Sequence, residues 1–173
     1  MSIAVTGSIA TDHLMHFPGK FHELLVAEQL DRISLSFLVD DLVIHKGGSG
    51  ANIAFGLGVL GQRPLLVGAV GADFGEYRQW LEDHGVDTSQ VLVCPDLHTA
   101  RFICTTDDAM RQIGTFYSGA MARSVDIDLS GLPALGVDLV LIGASDPAAM
   151  VKYTRQCLEL GMPFVADVSQ QVT

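Results

Sequence analysis

The stretch His45-Lys46-Gly47-Gly48-Ser49-Gly50-Ala51-Asn52-Ile53-Ala54 constrains this chain more than any other. It joins a β-branched, strand-like run (34–44) to a small-residue helical pattern (51–60), and side chains have been cleared from the corner between them. Glycine there lets main-chain N–H groups approach a ligand where a Cβ would stand in the way. The following helix would aim its amides and the positive end of its dipole at the same spot. Asn52 adds a side chain with donors and acceptors, suited to a ligand rich in hydroxyls. On these residues alone, a corner that needs glycine only for its turn fits equally well.

The length of 173 residues fits one domain and can hold a real core. A net charge of −10 would repel a polyanion, so nucleic acid is not an expected partner. The start, Met1-Ser2-Ile3-Ala4-Val5-Thr6-Gly7, does not read as a signal peptide, and apolar runs such as Leu139-Val140-Leu141-Ile142 are too short to span a bilayer. Cys94, Cys104 and Cys157 are scattered and odd in number, which argues against a disulfide framework or zinc site and suits a reducing cytoplasm.

Ile3-Ala4-Val5 reads as a buried strand running into a loop, with Asp12 just past its end, where ligands bind in open α/β sheets. An aspartate there could accept two hydrogen bonds from a vicinal diol, or could simply cap a turn or helix. His13 and His16 have the spacing of helix neighbours but no matched carboxylate, so no metal site is expected. Residues 21–30 read as a helix and 33–44 as one or two strands, with Asp40-Asp41 as a solvated turn and Leu35, Phe37 and Val39 on one face. Residues 65–70, 73–84 and 86–93 continue a β-α-β rhythm, the mark of a layered parallel sheet. The rhythm breaks at 99–118, which reads as a β-hairpin with Phe102 and Phe116 on opposite arms, facing across a slot for a flat ring or serving as ordinary hairpin core. Strand 135–143, helix 147–160 and strand 163–166 come next, ending in Asp167-Val168-Ser169-Gln170-Gln171. A sheet edge without a covering layer is expected there.

Taken together, these residues resemble the ribokinase-like (pfkB) family of carbohydrate and nucleoside kinases. Gly47-Gly48, Gly50, Asn52, Ala54, Gly61 and Gly71 meet the first family signature in full. Within the family the chain looks most like the bacterial adenosine kinases, through segments 4–12, 34–41, 99–102, Phe116-Tyr117 and Ser169-Gln170-Gln171.

The resemblance implies an α/β/α three-layer sheet, here the N-terminal half of a kinase domain over 1–173, with lid strands at about 33–45 and 99–117. It implies that Asp12 holds the ribose hydroxyls beside Gly48 and Asn52, that Phe102 and Phe116 enclose the adenine, and that Ser8, Gln170 and Gln171 bond around the base. It implies a homodimer through the lid strands, with Phe37 reaching the partner's site. The reaction would move the γ-phosphoryl group of ATP, with Mg²⁺, to the 5′-hydroxyl of adenosine. The second family motif, a Gly-Ala-Gly-Asp loop that supplies the base and anion hole, does not occur in this sequence, and Val168 stands where proline is expected. Catalytic residues, the ATP pocket and metal ligands are therefore expected outside the chain, leaving it inactive alone. Two alternatives stay open: a non-catalytic dimerising or binding module, and half of a kinase for a sugar such as ribose or fructose.

Overall fold

A computed structural model describes residues 1–24 and 35–169. The chain forms two compact units: the first holds 1–10, 47–100 and 118–173, the second 11–46 and 101–117.

The first unit is built on a parallel sheet. Its strands are β1 (Ile3–Thr6), β4 (Leu65–Gly71), β5 (Asp87–Cys94), β8 (Leu139–Ile142) and β9 (Phe164–Ala166), in the order β5-β4-β1-β8-β9. Every pairing among them is parallel. Successive side chains of a strand point to opposite faces, so both faces of these apolar runs must be covered. Ala4, Leu65, Val67, Val140 and Ile142 face one core with Ala149, Met150, Tyr153 and Cys157 of helix α4 (Pro147–Glu159). Val5, Leu66 and Val70 face the other, against α2 (Ser49–Val59) and α3 (Gly75–Asp83). The result is the expected three-layer α/β/α arrangement, with about 1.5–3 kcal/mol gained for each fully buried Leu or Val. Helix α4 starts as its sequence requires: Asp146 caps it by accepting from the Ala149 amide, and Pro147 occupies the first turn. No helix among the described residues is long and apolar enough to cross a membrane, and the three cysteines are free and buried.

The second unit carries a four-stranded sheet in the order β3-β2-β6-β7, from β2 (Ala10–Phe17), β3 (Asp41–Gly47), β6 (Ala100–Asp107) and β7 (Gln112–Tyr117). The β6–β7 hairpin stands where the sequence places it. The strands expected at about 33–45 are corrected: the strand there is β3, from Asp41, with β2 beside it, whereas 35–40 form no strand and 33–34 lie outside the described residues. Asp12 therefore sits within a strand, not in a loop beyond one. The spacing of His13 and His16 is not helical, because pairing with neighbouring strands sets the period here. Helix α1 is described over Phe21–Leu24. Its Phe21 ring packs with Phe17 and Phe37 at centroid distances of 4.9–5.7 Å.

Candidate functional site

In the first unit, strand order reverses at β1: the chain moves outward through β4 and β5, then returns to add β8 and β9 on the other side. A crevice opens at the carboxyl ends of the strands at such a switch point. The glycine corner fills this place. The Gly143 amide donates to Thr6 O at 2.8 Å and the Ser8 amide to Ala144 O at 2.9 Å, tying the ends of β1 and β8 together.

Helix α2 then starts hard against β1. A Cβ on Gly7 would lie 2.7 Å from the Gly50 backbone, and one on Gly50 would meet Gly7 as closely. Gly48 has φ +94°, and its Cβ would fall 2.5 Å from Ser8 O and 2.7 Å from the Ala10 amide. Only glycine fits there.

Ser8 caps α2 from outside the helix. Its hydroxyl accepts from the Ser49 amide at 2.9 Å, and its carbonyl accepts from Ala51 at 3.2 Å. The expected fan of free amides is thus partly spent on the fold. The Ser49 hydroxyl donates to Ala144 O at 2.7 Å, so the 3.2 Å contact between the two hydroxyls is donated by Ser8. A ligand reaching the Ser8 hydroxyl finds only an acceptor left. Asn52 projects from the first turn of α2 with an exposed side chain, its amide bonded back to Gly48 O.

Two residues that hold this corner do not stand out in the sequence. Ser49 reads as one more small residue, and Tyr77 as core. The buried Tyr77 hydroxyl donates to Gly47 O at 2.9 Å. A buried tyrosine needs a partner for its hydroxyl, and that is the signal the sequence offers.

Of the other expected site residues, Asp12, Phe37, Phe102 and Phe116 belong to the second unit, and Gln170 and Gln171 lie outside the described residues. Asp12 caps nothing: its carboxylate accepts no hydrogen bond from the described residues. Partial burial pushes its pKa above the usual aspartate value, with His45 and His13 pulling it back. Phe102 and Phe116 are directly paired across the hairpin, so they stand side by side on one face rather than as opposed jaws. Phe102 lies over Gly114, where a Cβ would meet its ring at 3.0 Å, and Phe116 is 51% exposed. Phe37 is half-buried in the aromatic trio of its own chain.

A family model described as pfkB family carbohydrate kinase matches residues 23–169. Over 128 residues the chain is 35% identical to a nucleoside kinase of Methanothermobacter thermautotrophicus, taking in 73% of this chain and 41% of that one. The solved nucleoside kinase of Burkholderia thailandensis in complex with inosine superposes with a TM-score of 0.79 at 31% identity, covering 99% of this chain and 53% of that chain. A ribokinase of Cryptococcus neoformans var. grubii in complex with ADP has a TM-score of 0.80 at 22% identity, covering 99% and 50%, which speaks for the fold alone. The chain belongs to the pfkB family of carbohydrate kinases. It spans about half the length of these relatives.

Proposed function

We propose that this chain carries the acceptor-binding half of a nucleoside kinase, with adenosine as the acceptor. The observation that carries the reading is the corner of Ser8, Gly48 and Asn52 at the reversal point of the sheet, where a Cβ on Gly7, Gly48 or Gly50 would strike backbone. The likeness to two nucleoside kinases at 31–35% identity supports a nucleoside over a free sugar. Asp12 takes the vicinal ribose hydroxyls, each bond to a carboxylate being worth about 1.5–3 kcal/mol. Phe102 and Phe116 give the base a flat apolar wall, and Gln170 and Gln171 supply hydrogen bonds to it.

The whole enzyme would use ATP with Mg²⁺. Among the described residues no three His, Cys, Asp or Glu side chains converge as a metal site. No step is assigned to it. What the chain supplies is binding and orientation of the acceptor.

Calorimetry with adenosine, inosine and ribose tests the reading. Nucleoside binding stronger than ribose binding is expected, falling about 10- to 100-fold in Asp12→Asn. Stronger binding of free ribose would overturn it in favour of a sugar kinase. Detectable ATP-dependent phosphorylation of adenosine by the 173-residue chain would overturn the assignment of catalysis to other polypeptide.

One observation favours a further part of the reading, a homodimer through the four-stranded sheet, the proposed lid. Leu42, Val43 and Ile44 of β3 and Ile113, Phe116 and Tyr117 of β7 are all more than 40% exposed. Light scattering should give twice the chain mass, and Ile44→Lys with Phe116→Lys should return it to the monomer.

A further inference from the structure

We propose that His16 is a pH-responsive latch, its ring pinning the bend at Asp40 and the hairpin turn at Asp108 to the end of β2. The imidazole Nδ1 lies 2.8 Å from one carboxylate oxygen of Asp40 and Nε2 lies 3.1 Å from one of Asp108. A neutral imidazole has a single N–H, so it could serve one of these carboxylates and would turn a bare lone pair on the other. Two carboxylates at hydrogen-bond distance from the two ring nitrogens call for the imidazolium.

Among the described residues, the charges facing His16 are these two aspartates, from the segment ahead of β3 and from the β6–β7 turn. Nearby at the same turn, Asp107 is committed to Arg111 at 3.2 Å and to backbone amides, and His22 accepts from Arg111 at 2.7 Å. The backbone marks the same junctions, with the Asp40 amide donating to His16 O and the Asp108 amide to Gly19 O. The hydrogen bond to Asp40 does most to raise the imidazole above its ordinary value, desolvation opposes it, and Asp108 adds. A histidine raised in this way contributes fully below its unfolded-state pKa and loses that contribution as pH rises through the folded one. Release frees the 35–40 segment, which holds Phe37 against Phe17 and Phe21. The latch does not depend on what the protein binds.

Residue-resolved NMR titration of the 173-residue chain tests it. His16 should titrate above the reference of about 6.5, and Asp40→Asn and Asp108→Asn should each lower its pKa. Amides of 35–40, corrected for intrinsic exchange, should be less protected at about pH 8.5 than at about pH 5.5. That dependence should vanish in His16→Gln. A His16 pKa at or below the reference, or an equal pH dependence in His16→Gln, would overturn the proposal. Should His16→Gln fail to fold, the two aspartate variants carry the test through the native imidazole.

Discussion

At the scale of single residues, the corner is held by atoms that have no room to move. Gly48 combines a left-handed backbone with a neighbour 2.5 Å from where its Cβ would be. Gly48→Ala should therefore cost about 2 kcal/mol or more, from backbone strain and displacement of Ser8 together. Chemical denaturation would show it as a lower midpoint at unchanged slope. The glycines are legible in the sequence because a bare backbone corner leaves a pattern in composition and spacing. Ser49 and Tyr77 are not, since what makes them matter is a carbonyl brought beside each by distant chain: Ala144 for the first, Gly47 for the second.

At the scale of elements, the hairpin turn is organised around one carboxylate. Asp107 is buried, and it accepts from the amides of Phe21, Ala109 and Arg111 at 2.9–3.0 Å. Burial alone would raise its pKa, but these amides and then the Arg111 guanidinium outweigh it and hold the group below the usual aspartate range. A depressed folded-state pKa gives stability that is present above the unfolded-state value and is lost as pH falls through the folded one. Acid should thus loosen the β6–β7 turn. Asp107→Asn, which turns an N–H₂ toward donors, should lower Tm by several degrees and flatten the acid limb of the stability curve, as read by thermal melts from about pH 2 to 7. Elements whose apolar pattern is strong, such as β4, α3, the hairpin and α4, are legible in the sequence. Strand β2 is not. Ala10-Thr11-Asp12-His13-Leu14-Met15-His16-Phe17 has no clear alternation, and it is a strand only because β3 and β6 flank it.

At the scale of the whole molecule, the layered core is legible from β-α-β rhythm. Strand β9 borders the sheet with Val165 55% exposed. A hollow of about 370 Å³ lies beside it, lined by Ile142, Met150, Val151, Ala166 and Val168. An edge strand with one strand neighbour among the described residues, next to a largely apolar hollow, invites pairing between chains. Val165→Lys should suppress aggregation of the 173-residue chain, measured as turbidity on warming, without changing nucleoside affinity. The pairing of Ile3 with Leu139 has another outcome. During synthesis β1 stays open on that side until the residues around Leu139 have emerged. Closing the sheet there waits on a contact of long sequence separation, the kind whose loop-closure cost slows folding.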